Sequence, residues 1–138
     1  MVSRILVAYD GSPSADKAFD FAADLAGRYG AALSVLTVAQ PPEFGEDVET
    51  EAVIEHSRSY HQALLDRLRS RAAERGVRAR FAMVVGHAAQ QILDHAEAEG
   101  AELVVLGHRG RGMFDRWRLG SVTHRVISYA SCPVLVVR

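Results

Sequence analysis

The chain has 138 residues, a length that fits one domain with a single hydrophobic core. Its hydrophobic share of 49% and charged share of 24% are those of an ordinary soluble globular protein. With 16 Lys+Arg against 17 Asp+Glu the formal net charge is -1, which argues against general binding to nucleic acid or membranes, so any anion site must be local. The lone Cys132 rules out an internal disulfide, and beside the apolar run that follows it a buried, inert thiol is expected. No Cys/His spacing matches a zinc site. Without a basic-flanked apolar leader or a stretch long enough to span a bilayer, the cytoplasm is the expected compartment.

Short apolar runs alternate with longer segments of helical period, the pattern of a parallel sheet covered by helices. Arg4 to Tyr9 is apolar on both faces, as a central parallel strand should be. Ser12 is placed to cap a helix with Pro13 at its first position. That helix carries Ala15, Ala18, Phe19, Ala22, Leu25, Ala26 and Tyr29 on one face and ends at Gly30. A second strand, Leu33 to Val38, runs into Pro41-Pro42. The acidic stretch Glu43 to Glu55 is expected to begin as a loop and become a helix, which continues through Tyr60, Leu64, Leu68 and Ala72 to Gly76.

Arg78 to Val85 alternates more than the other strands and predicts an edge position. A helix with Ala89, Ile92, Leu93 and Ala96 inward stops at Gly100. Leu103 to Leu106 gives a fourth strand ending at Gly107. Val122, Val126, Ile127 and Ala130 form the last helical stripe, and Pro133 to Val137 the fifth strand. The prediction is a single α/β domain over residues 1–138: five parallel strands with four helices, a doubly wound sheet.

Between the fourth strand and the last helix runs the segment from Gly107 to Ser121, with glycines at 107, 110, 112 and 120. Phosphate binding needs backbone N–H groups aimed into one concavity, and glycine lets a chain fold that tightly. A helix start adds free N–H donors and the positive end of the dipole. Ser121 is expected to cap that helix and give one more donor. Arg109, Arg111, Arg116 and Arg118 outnumber the one acid, Asp115, so a local anion site is indicated.

Gly107-x2-Gly110-x9-Gly120-Ser121 resembles the ATP-binding signature of the universal stress protein family. The flanks agree: Val-Ala-Tyr-Asp10-Gly-Ser at the start, Leu-Gly-Ser-Val122 at the loop's end, and Cys132-Pro-Val-Leu-Val at the close. The resemblance covers the chain from Arg4 to Arg138. It implies an adenine nucleotide α-hydrolase-like sheet of order 3-2-1-4-5, with the ligand at the switch point beyond the carboxyl ends of the strands. By this resemblance Asp10 and Gly107 contact the ribose, and Gly110, Gly120, Ser121 and Val122 receive the phosphates. Ala8 and the main chain at Val38 would meet the adenine, and Arg109, Gly112 and Thr123 complete the expected set. The implied ligand is ATP with Mg2+ or Mn2+ carried by the phosphates, with no metal ligands from protein side chains. A homodimer through Pro133–Val137 is also implied.

Plainer readings stand beside these. The glycines would also suit an irregular loop, though such a loop has no reason to end in Gly-Ser at a helix start. Asp10 would also serve as a cap for the first helix, a role compatible with ligand contact. His56, His61, His95 and His124 read as surface residues, whereas His87 and His108 are candidates to face the ligand. Phe114 and Trp117 suit a lid, a partner surface or simple loop packing.

Three functions follow: a nucleotide-dependent regulatory or stress-response module, a slow ATP-hydrolysing enzyme, and a structural stress dimer that binds no nucleotide. In the first, residues 111–119 and 41–55 are the expected moving parts of a surface read by a protein partner. No Gly-x4-Gly-Lys-Ser/Thr loop is present, Gly11-Ser-Pro-Ser lacks the second glycine of a pyrophosphatase-type loop, and no acid–base pair flanks the glycines. A dedicated catalyst is therefore disfavoured, and the complete glycine signature disfavours the third reading.

Overall fold

The computed structural model describes residues 2–40, 48–109 and 119–138. Five strands and four helices alternate along it: β1 (Arg4–Ala8), α1 (Pro13–Tyr29), β2 (Ala32–Ala39), α2 (Val48–Glu74), β3 (Ala79–Val85), α3 (Ala88–Glu99), β4 (Leu103–Gly107), α4 (Ser121–Tyr129) and β5 (Val134–Val137). All pairings are parallel and the order is β3-β2-β1-β4-β5. The expected doubly wound sheet is present, with β3 at an edge. Residues 41–47 and 110–118, including the glycines at 110 and 112, Phe114 and Trp117, lie outside the described residues.

Alternation along the strands builds two cores. Ile5, Val7, Leu33, Val35 and Val105 face α1 and α2. Leu6, Leu36, Val104 and Leu106 face α3 and α4. Because β1 is buried on both faces, its sequence shows no polar alternation.

Helix α1 forms as its sequence dictates. Ser12 Oγ accepts from the Ala15 N–H at 3.2 Å, Pro13 stands at the first position, and Gly30 ends the helix in the left-handed conformation at φ 64°. Two stripe residues depart from the expected pattern. Tyr29, in the last turn before the chain leaves at Gly30, is half exposed, and Ile127 of α4 turns away from the buried Val126. In α2 the buried set is Leu65, Leu68 and Ala72, with Leu64 packed at the margin of the core.

Helix α2 is also fastened to α1 by charge. Arg71 and Arg75 meet Asp20 at 2.5 and 3.1 Å, and Arg71 and Arg67 approach Asp16 at 3.5 and 3.6 Å. Positions four apart on each helix share a face, so Arg67, Arg71 and Arg75 form one row against Asp16 and Asp20. Arg71 also lies 5.4 Å from the centre of the Phe19 ring. Exposed pairs singly contribute little, but this row fixes how α2 lies across the β1–α1 turn. There Leu64 and Tyr60 sit close to Gly11, where a Cβ would meet them at 3.0 and 3.3 Å. Gly11 has φ 83°, so both its backbone and its surroundings favour glycine.

Candidate functional site

Strand order reverses at β1 and β4, and a cavity of about 270 Å³ opens beyond their carboxyl ends. One side is apolar, formed by Ala8, Leu36, Val38, Ile92 and Leu106; the other carries Asp10, Ser12, Arg109, Ser121 and Thr123. Of the residues expected at the site, Ala8, Asp10, Val38, Gly107, Arg109, Gly120, Ser121, Val122 and Thr123 all line this cavity. Gly110 and Gly112 lie outside the described residues.

The β1–α1 turn supplies one wall. Asp10 Oδ1 accepts from the Ser12 N–H at 2.9 Å, so the carboxylate braces the turn while it lines the cavity. Ser12 and Ala15 place the start of α1 on the same wall, and Ala88 brings the first residue of α3. With Ser121 from α4, three helix N-termini border one cavity, each contributing positive potential.

The β4–α4 connection is pinned at its base. The His108 N–H donates to Val137 at 2.8 Å, and the His108 carbonyl accepts from the Gly120 N–H at 2.8 Å. Ser14 Oγ donates to the Arg109 carbonyl at 2.8 Å, and Thr123 Oγ1 to the Gly107 carbonyl at 2.8 Å. These bonds hold residues 107–109 and 120–123 as one frame.

Two expectations change here. The N-cap of α4 is Gly120 and makes no side-chain cap, so Ser121 is the first helical residue and not the cap. The Gly120 N–H is committed to His108, and the first ladder bond runs from the His124 N–H to the Gly120 carbonyl at 2.9 Å. The donors ahead of the ladder are therefore the N–H groups of Ser121, Val122 and Thr123.

His87 and His108 are not in the cavity wall. His87 is the exposed N-cap residue of α3. The main chain of His108 is used by the frame, and its Nδ1 is buried without a partner among the described residues. The sequence reading missed Ser14, Gln40 and Ala88. Ser14 could have been found from the crowding a glycine relieves opposite it, but that needs the strand–helix approach.

Tyr9 joins the cavity to α2. Its hydroxyl donates to Asp16 at 2.5 Å and accepts from Arg67 at 2.8 Å. Burial, reinforced by the Asp16 hydrogen bond, pushes the phenol up to about 12. Cys132 is half-buried, and burial raises its thiol, which keeps it protonated and unreactive.

The universal stress protein family profile matches residues 1–138. The chain belongs to this family. It is 35% identical to universal stress protein YxiE of Bacillus subtilis (strain 168), with all of both chains covered. Among solved structures, universal stress protein UspA from Lactobacillus plantarum superposes with a TM-score of 0.92 at 25% identity, covering 99% of this chain and 98% of that one. A universal stress protein in complex with cAMP superposes with a TM-score of 0.77 at 26% identity, covering 99% and 97%. Among the described residues no helix is long and apolar enough to cross a membrane.

Proposed function

We propose that this universal stress protein binds ATP in the cavity beyond β1 and β4 and acts as a nucleotide-dependent regulatory module of the cytoplasm. The observation that carries the reading is the convergence of the Asp10 turn with the N-terminus of α4 around a slot whose inner side is apolar. A purine needs flat apolar walls, a ribose an acceptor for its hydroxyls, and phosphates need unengaged N–H donors. Ala8 and the Val38 main chain suit the first, Asp10 and Gly107 the second, and Ser121, Val122 and Thr123 the third. Bounded by the described residues alone, the cavity is close to the roughly 300–1,000 Å³ usual for small-molecule sites. The related universal stress protein in complex with cAMP supports an adenine nucleotide as the ligand class.

A divalent ion fits this site only as one carried by the phosphates. Asp10 is the sole carboxylate in the described wall, one of its oxygens is engaged by Ser12, and no group of three metal-ligating side chains occurs among the described residues. Mg2+ or Mn2+ would supply charge neutralisation between phosphate oxygens.

Calorimetric titration of the full chain with ATP and Mg2+, and in parallel with ADP and cAMP, tests the reading. One site per chain is expected, abolished by Gly120→Val, which places a branched side chain at the buried mouth. Gly120 has φ -64°, so the substitution does not strain the backbone, and the circular dichroism of the variant checks its fold. Equal affinity in that variant would refute the site.

A further inference from the structure

A second cavity, of about 620 Å³, lies at the opposite end of the sheet, over the amino ends of β1, β2 and β3. Even-numbered residues of these strands project toward the α3 side, as Leu6 and Leu36 show. The same alternation sets Arg4, Ser34, Arg78 and Arg80 around one trough, all four in its wall. Register places Ser34 beside Arg80 and the small Ala32 beside Arg4. Two strand spacings, roughly 10 Å, separate Arg4 from the arginine pair, and only Ala32 and Ser34 stand between them. The C-terminal end of α3 closes the far side through Ala98 and Glu99.

The three arginines are not equivalent. Arg4 Nη1 donates to the Glu99 carbonyl at 3.0 Å and so answers the negative end of α3. The Glu99 carboxylate is itself 3.1 Å from His95 Nε2. Among the described residues no acceptor pairs with Arg78 or Arg80, and the half-buried Ser34 hydroxyl has no partner either. Two cations two residues apart on one strand face repel each other. Here they border a concavity whose one acidic residue, Glu99, lies on the far side with a carboxylate oxygen against His95, and an anion bound between the two arginines would relieve their repulsion.

We infer that this trough binds a phosphate dianion, free or carried on a small molecule. The Arg78 and Arg80 guanidinium groups supply charge and forked donors, and the Ser34 hydroxyl a third hydrogen bond. The site is independent of the nucleotide cavity, which lies a five-residue strand away, roughly 16 Å.

Nitrogen-resolved NMR titration of the full chain separates the two ends, because each has its own reporting amides. Inorganic phosphate, against sodium chloride at matched ionic strength, is expected to shift the Ser34 and Arg80 amides saturably. In Arg78→Gln/Arg80→Gln the dissociation constant read there rises tenfold or more, while shifts at Ser121 to Thr123 are unchanged. Both arginines are exposed, so the variant keeps its fold, checked by the rest of its spectrum. Glucose 6-phosphate binding more tightly than phosphate would show that the carrier is recognised, and equal binding that the phosphate group alone is. Shifts that never saturate, that chloride reproduces, or that survive the double substitution would overturn the site. An ATP titration confined to Ser121–Thr123 leaves this result standing whatever its own outcome.

Discussion

Gly107 ends β4 so close to α1 that a Cβ on it would lie 2.3 Å from Ser14 Oγ and 2.9 Å from the Ser14 carbonyl carbon. Real side chains do not approach backbone that closely, so the glycine is required by the strand–helix approach before any ligand is considered. The same Ser14 hydroxyl holds the Arg109 carbonyl, so the crowding and the latch are one device.

Gly107→Ala is therefore expected to destabilise the fold by about 1–3 kcal/mol through overpacking. Adding Ser14→Ala removes the Oγ contact but leaves the backbone carbon and the Cβ, each 2.9 Å away, in place, and gives up the hydrogen bond to the Arg109 carbonyl. Urea denaturation should then show partial recovery. Full recovery would mean that the hydroxyl alone sets the limit.

Tyr9 gives a pH dependence with a definite sign. Its phenol is raised from 10.0 to about 12 by burial and the Asp16 hydrogen bond, so between those values the folded chain keeps a proton that the unfolded chain has lost. Stability from this group is complete below pH 10 and falls as pH rises toward 12. Two pH units would amount to about 3 kcal/mol, and the half-exposed setting of Asp16 and Arg67 reduces this to about 1–2 kcal/mol. Tyr9→Phe should remove that slope from denaturation curves measured across pH 9 to 12. An unchanged slope would assign it to other groups.

Much of the fold was legible because period and punctuation agreed at each element. Ser12-Pro13 and Gly30 bracket α1, and the two-faced apolar runs of β1 and β4 mark central strands. Strand order came only with the family resemblance, since local pattern does not record which strands are neighbours. The lining of the candidate cavity was legible where phosphate or ribose chemistry would require a residue type, at Asp10 and Gly120-Ser121. It was not legible where roles depend on the main chain. That the Gly120 N–H serves His108 rather than a ligand is a matter of loop closure, which spacing does not encode. Ile127 and Tyr29 satisfy a helical stripe by number yet lie at its margin, where the packed surface ends.

Any hydrolysis of ATP by the protein is expected to be slow, well below a median enzyme turnover of about ten per second. No lysine or histidine occurs among the described cavity residues, and Asp10, the one carboxylate, is tied to the Ser12 N–H. Steady-state phosphate release from clean protein measures this directly. Rapid turnover lost in Asp10→Asn or Ser121→Ala would make the protein an enzyme instead.

Assembly through β5 is the last expectation. β5 stands at the end of the sheet with β4 on one side, where Val104 and His108 donate to the carbonyls of Pro133 and Val137. Among the described residues no strand pairs with its other side, which leaves backbone donors and acceptors for another chain, and its four residues are all apolar and half-buried. Edges of this kind are usually blunted by charge or a bulge, yet here the only charge is the following Arg138. The helices beside it extend the apolar surface. Phe21, 51% exposed, lies on the flank of α1 turned from α2, the side on which Ser14 reaches β4, and Ile127 of α4 is 44% exposed on the other face. A two-fold axis would pair the two β5 edges antiparallel and bury these flanks together. Wild-type protein should therefore be a dimer by light scattering at micromolar concentration. Val134→Lys with Val136→Lys should yield monomers; because both side chains also border the α3–α4 core, circular dichroism of the variant separates a split dimer from a lost fold. A monomeric wild type would refute the pairing, and a dimer indifferent to both lysines would move the interface away from β5.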